Sequence, residues 1–187
     1  FTVSGDGEHE GEFRSTDADG NLEATKSLAI KIDGTPPETV ATVDGEVLKV
    51  LKSGDHVVCG ENMYGGSHRL MERIYTRFGL KFSFVDSRDI RNIEAALRPE
   101  TRMIYCETPT NPMMQLTDLS AVGDLTQAHG FLFAVDNTFA TPVFQRPLEV
   151  GADVILHSTT KYLNGHSDMV GGLLLTKRDD LAEQFGF

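Results

Sequence analysis

The segment His157–Asp168, HSTTKYLNGHSD, sets one lysine, Lys161, among hydroxyls, amides and a glycine directly after an apolar run. A cation there has no helix face to solvate it. In open α/β sheets ligands bind beyond the carboxyl ends of the strands, so the residue that follows each apolar run becomes a candidate. Tyr64 follows DHVVCG, in MYGG. Asn111 follows MIYCE, in TPTNP. Asp136 ends FLFAVD, and Ser158, Thr160 and Lys161 follow DVILH. An aromatic, an amide, a carboxylate, two hydroxyls and an amine therefore fall on one expected rim.

Each of these residues also has an ordinary reading. A lysine is most often a solvated surface charge. VDNT around Asp136 also reads as an Asx turn, Tyr64 beside two glycines as a turn aromatic, and Asn111 before Pro112 as a turn pair. Ser158 and Thr160 could be capping hydroxyls. His157 and His166 read as structural. Taken together, however, the set meets the needs of pyridoxal phosphate. That cofactor takes a lysine for covalent attachment and a carboxylate at its pyridinium nitrogen. It also offers a ring face to stack on, a phenolic oxygen to receive a donor and a phosphate to receive hydroxyls. A lysine crowded by polar groups near positive charge becomes a usable amine nucleophile.

The elements that must position these residues alternate. From Val47 onward, VLKVLKSG reads as the tail of a helix stopped at Gly54, and DHVVCG as a short buried strand. GGSHRLMERIYTRFG reads as an amphipathic helix with Leu70, Ile74 and Phe78 on its apolar face. KFSFVD, TRMIYCE, FLFAVD, GADVILHS and GGLLLTK read as strands; RDIRNIEAALRPE, LTDLSAVGDLTQAHG and RDDLAEQFGF read as helices. Such alternation implies an α/β fold, a mostly parallel sheet with helices on both faces.

Residues 1–46 are of another style. GEHEGEFRSTD and NLEATKSLAIKID flank the turn signal ADGN, and Leu28, Ile30 and Ile32 alternate at strand period. DGTPPETVATVDG reads as a linker. The first 46 residues hold eleven acidic and three basic residues; the remaining 141 hold seventeen and fourteen. A net charge of −11 argues against a nucleic-acid partner, because phosphate binding wants clustered Lys and Arg. No run of about eighteen apolar residues predicts a membrane span, and no signal-peptide pattern opens the sequence. Cys59 and Cys106 sit in apolar runs without CxxC or metal-ligand spacing and read as two buried thiols in a reducing compartment.

Five ordered motifs carry a resemblance: LKSGDHVV, YGGSHRL, ETPTNP, VDNTFATPVFQRPLEVGAD and HSTTKYLNGHSDMVGG. Over residues 51–187 the chain resembles the large domain of the Cys/Met-metabolism (transsulfuration) pyridoxal-phosphate enzymes, the fold type I, aspartate aminotransferase-like class. The resemblance implies that Lys161 bonds the cofactor and shuttles the substrate's α-proton. It implies that Asp136 pairs with the pyridinium nitrogen, Tyr64 stacks on the ring and assists the leaving group, Asn111 bonds the phenolic oxygen, and Ser158 and Thr160 hold the phosphate. A small amino-acid substrate, a homotetramer in the intact family and a cytoplasmic location are further implications; KYLNGHSD and YGGS lean toward the cystathionine γ-synthase/γ-lyase branch.

Residues 1–46 resemble the closing hairpin of an Ig-like repeat of bacterial surface proteins, and an extracellular binding or structural fragment is the alternative function. The expected organisation is thus 1–46 as hairpin plus linker and 47–187 as a partial cofactor-binding domain. PETVAT stands where the family carries a Ser-Gly-Met phosphate loop, with Glu38, Asp44 and Glu46 nearby. The chain begins without methionine, and the family's N-terminal arm and C-terminal small domain are expected to be missing. A chimera joined near residues 45–50, weak in cofactor binding and turnover, is the expectation.

Overall fold

The alternating chain builds one six-stranded sheet. Its structure, a computed structural model, describes residues 7–13, 26–32 and 50–185. Two compact units are formed, Phe1–Ala41 and Thr42–Phe187. In the first, β1 (Gly7–Phe13) and β2 (Lys26–Ile32) pair antiparallel, with Gly7 opposite Ile32 and Phe13 opposite Lys26. The strand expected over Leu28, Ile30 and Ile32 is present. The ADGN turn, the linker and PETVAT lie outside the described residues.

In the second unit β3 (His56–Gly60), β4 (Lys81–Val85), β5 (Thr101–Glu107), β6 (Leu132–Asp136), β7 (Val154–Ser158) and β8 (Gly172–Thr176) lie in the order β4-β3-β5-β6-β7-β8. All neighbours are parallel except β7 and β8. The chain runs outward from β3 to β4 and returns to pair β5 on the other side of β3. The strand order therefore reverses between β3 and β5, the kind of switch point where such sheets open a crevice.

Side chains alternate across the sheet, as the pleat requires. Val57, Cys59, Tyr105, Ala134 and Val154 form one core face with Leu51, Met63, Leu80 and Leu181. Val58, Ile104, Cys106, Phe133 and Val135 form the other with Ile93, Leu119 and Val122. The second face is covered by α2 (Ile90–Ala95) and α3 (Leu119–His129). Each is capped by an aspartate whose carboxylate receives first-turn N–H groups: Asp89 from Arg91, and Asp118 from Ser120 and Ala121. α3 stops at Gly130 in the left-handed conformation, φ 70°. The first face is covered by the segment 65–78 and by α5 (Asp179–Phe185).

The segment 65–78 departs from expectation. It is not one helix: α1 (Gly65–Arg69) passes into a π-helical turn (Leu70–Ile74) and then a 3-10 turn (Tyr75–Phe78). Met71 and Tyr75 pack on the core, while Leu70, Ile74 and Phe78 are exposed. Two neighbouring stripes are apolar here, and periodicity alone does not say which one turns inward; packing against the sheet decides it. The expected helix tail before Gly54 is also absent among the described residues. Val50–Gly54 form a turn and a bridge, with the Lys52 N–H held by the Asp55 carboxylate at 2.9 Å and Gly54 at φ 95°. Two unanticipated short helices, α4 (Thr141–Phe144) and a 3-10 turn at Pro147–Glu149, lie between β6 and β7.

Both cysteines are fully buried and unpaired, and burial pushes the Cys106 thiol up to about 12. His56 is fully buried as well, its ring nitrogens bonded to Thr101 Oγ1 (2.8 Å) and Ser83 Oγ (3.0 Å). Burial, aided by the Arg98 charge, lowers its pKa to about 4. The unfolded chain takes up this proton near pH 6.5, which the folded chain refuses. Stability contributed by neutral His56 is therefore complete above that pH and is lost as the pH falls toward 4. Urea midpoints should drop over this window, and the drop should be shallower in His56→Gln; identical slopes for the two proteins would contradict the assignment.

Candidate active site

Four parallel strands end on the same side of the sheet, and the residues just past their ladders converge. Tyr64, Asn111, Asp136, Ser158, Thr160 and Lys161, all six residues expected from the sequence, line a single cavity of about 290 Å³. Glu107, Thr138, Phe139 and Val170 complete its lining. A wider opening of about 730 Å³ adjoins it, sharing Asn111, Thr160 and Lys161 and reaching Tyr162 and Asp168.

Tyr64 precedes α1 with an extended backbone, and its side chain is half exposed. Asp136 closes β6. Its Oδ1 accepts the Thr138 N–H at 3.0 Å, so the Asx turn read from VDNT is present and coexists with a place on the cavity wall. Lys161 follows β7 in a turn: its N–H donates to the Ser158 carbonyl (3.1 Å), and its carbonyl receives the Gly165 N–H (2.8 Å). The Thr160 hydroxyl is engaged with Gly171, accepting its N–H at 3.0 Å and donating to its carbonyl at 3.3 Å. Thr160 thus pins the loop to the start of β8. Gly171 permits this approach, since a Cβ there would lie 2.5 Å from Thr159 Oγ1.

Two residues that sequence reasoning passed over organise the wall. Thr138 joins two strand ends: its N–H goes to Asp136, and its Oγ1 accepts the Ser158 N–H at 2.8 Å. Glu107 is the last residue of β5, buried, and directly opposite Asp136 in the ladder. Its Oε2 accepts the Tyr64 N–H at 2.6 Å and its Oε1 the Asn111 N–H at 3.0 Å. Burial chiefly, with the neighbouring Asp136 charge, raises its pKa to about 7 against the lowering effect of the two amide bonds. The available signal was a carboxylate ending an otherwise apolar strand, MIYCE, in register with FLFAVD. His157 is buried, as a structural histidine should be, yet its Nδ1 has no hydrogen-bond partner; burial lowers its pKa while Asp136 opposes that shift.

The donor set suits a pyridoxal phosphate. Its lining brings together a carboxylate with an oxygen beyond the Asx bond, an aromatic ring, an amide, an amine and hydroxyls. Lys161 is the one cation among the lining residues, beside the two carboxylates.

Residues 38–187 match the family model described as Cys/Met metabolism PLP-dependent enzyme. The chain belongs to that family. The match begins within the stretch read as linker. Relatives include a probable cystathionine gamma-synthase of Herpetosiphon aurantiacus, 49% identical over 75% of this chain and 44% of that protein. A cystathionine gamma-lyase of Bacillus subtilis is also 49% identical, over 75% of this chain and 37% of its own length. Among solved structures, a cystathionine gamma-lyase from Lactobacillus plantarum complexed with L-serine superimposes with a TM-score of 0.72 at 48% identity, covering 73% of this chain and 36% of that one. The chain thus spans less than half the length of these relatives. The family fold, a mostly parallel α/β sheet of the pyridoxal-phosphate class, is the one observed.

The double role of Thr138 is testable. Thr138→Val keeps the shape but strands the Ser158 N–H, and it should cost about 1–3 kcal/mol of unfolding free energy. Thr138→Ser should restore most of it in urea titrations; an unchanged midpoint in Thr138→Val would show that the bond carries no weight.

Proposed function

We propose that this chain forms the pyridoxal-phosphate site of a transsulfuration enzyme of the cystathionine γ-synthase/γ-lyase type. The observation that carries the reading is the convergence of six residues, drawn from four strand ends, on one cavity. The substrate class is a small sulfur-linked amino acid or activated homoserine, such as cystathionine, cysteine or a homoserine ester. The reaction is elimination or replacement at the β- or γ-carbon.

When bound, the cofactor supplies an electron-withdrawing ring that stabilises negative charge at the substrate α-carbon. The protein's part is orientation and proton handling. Lys161 would hold the cofactor through its amine, and that amine would also be the group in reach to take and return a substrate proton. The Asp136 carboxylate would pair with the ring nitrogen, the Tyr64 ring would stack on the cofactor, and its hydroxyl would assist the leaving group. The Asn111 amide would donate to the phenolic oxygen, and the Ser158 hydroxyl with the loop held by Thr160 would hold the phosphate.

Homo-oligomeric assembly belongs to the same reading, supported by exposed apolar side chains such as Val170 in the cavity lining and Phe144 in α4. A cytoplasmic location is inferred from the two unpaired buried thiols. Among the described residues no helix is long and apolar enough to cross a membrane.

An absorbance titration with pyridoxal phosphate, run beside Lys161→Ala, tests the site. A visible band that saturates in the native chain and is missing from the variant is expected. Equal bands in both proteins, or none in either, would overturn the proposal.

A further inference from the structure

Among the groups around the cavity, Glu107 is the one whose side chain bonds the backbone N–H groups of two other proposed site residues at once. We propose that Glu107 is a positioning residue: its single carboxylate ties the chain at Tyr64 and at Asn111 to the end of β5 and thereby holds both side chains against the cofactor. The proposal rests on the cofactor-site reading given above.

The geometry carries the argument. Tyr64 follows β3 and Asn111 follows β5, on the two sides of the point where the strand order reverses. Loops on either side of such a crevice have no ladder of their own to hold them. Glu107 ties each of them to the end of β5, one oxygen to each N–H, at 2.6 and 3.0 Å, beside the Asn62 Nδ2 to Gln115 Oε1 bond (2.7 Å) that also joins the two loops. Both bonds are charge-assisted only while the carboxylate is ionised, and charge assistance roughly doubles the strength of such a bond. A protonated acid keeps one good acceptor and turns the other oxygen into a hydroxyl.

The groups that face Glu107 set where this change falls. Asp136 opposes ionisation from β6, and Tyr105, on β5 itself, is buried with its own hydroxyl pushed up. Lys161, from the loop after β7, shares the cavity with Glu107 and Asp136, and buried His157 lies in the field of Asp136. With the carboxyl pushed up to about 7, the clamp is weak below neutrality and strong above it. The folding linkage has the opposite sign. As pH rises from about 4.5 to 7 the unfolded chain ionises first, so this group lowers folding stability while it tightens the clamp.

The direct test is a pH titration of the intact chain by NMR, following the Tyr64 and Asn111 amide protons from about pH 5 to 9. Both should move downfield as the pH rises, on one shared midpoint near neutrality. Static amides, or two unrelated midpoints, would overturn the proposal without need of a variant. Glu107→Gln keeps the shape and removes the charge; both titrations should vanish. Its affinity for pyridoxal phosphate at about pH 8 should fall about tenfold or more, with the pH dependence flattened. If the native chain binds no pyridoxal phosphate, the cofactor reading fails and the amide titration alone decides the clamp. If both proteins bind equally with the same pH profile, the cofactor reading stands and the positioning role of Glu107 is wrong.

Discussion

Parallel pairing of β3, β5, β6 and β7 is the constraint from which the site follows. Strands that run the same way end on the same side, so every residue placed one step beyond a ladder arrives at a common rim. Nothing in the local sequence of Tyr64, Asn111, Asp136 or Lys161 brings them together; they are far apart along the chain. The register does it. Glu107 opposite Asp136 brings the ends of β5 and β6 level, Asp136 opposite Leu156 leaves β7 to run two residues further, and the cavity opens where the ladders stop. The sheet in turn depends on its two buried faces, since a parallel sheet is stable only when both are covered.

The same arrangement creates an electrostatic problem. Two carboxylates, Glu107 and Asp136, sit side by side at the ends of adjacent strands with one amine in the same cavity. Burial first, and the like charge of Asp136 after it, oppose ionisation of Glu107 and raise its pKa. The two backbone N–H groups offset part of that cost. A cationic ring nitrogen beside Asp136 would offset more, so the site is better balanced with a protonated heterocycle than without one.

Much of this was legible in the sequence because strand ends are marked twice, by the end of an apolar run and by the polar residue after it. FLFAVD and DVILHS are clear cases, and Asp136 and Ser158 fall where the pattern puts them. Legibility failed where two patterns compete. Leu70, Ile74 and Phe78 form as good an apolar stripe as Met71 and Tyr75, and only packing chooses between them. It failed again at VLKVLKSG, where a turn through Asp55 replaces the expected helix tail among the described residues. Glu107 and Thr138 escaped for a different reason. Their roles are hydrogen bonds across strands to backbone N–H groups, and side-chain type alone says nothing of such partners. Thr138 sits in VDNT, where an Asx turn accounts for its N–H but not for its hydroxyl.

The central claim is that the strand ends assemble a pyridoxal-phosphate site around one lysine. The chain has seven lysines, among them Lys52, Lys81 and Lys177, outside the cavity lining. Borohydride reduction of the chain with substoichiometric pyridoxal phosphate, followed by peptide mapping, reports which of them is modified. A single modified peptide that contains Lys161 is expected. Label spread over several lysines, or concentrated on any other one, would contradict it.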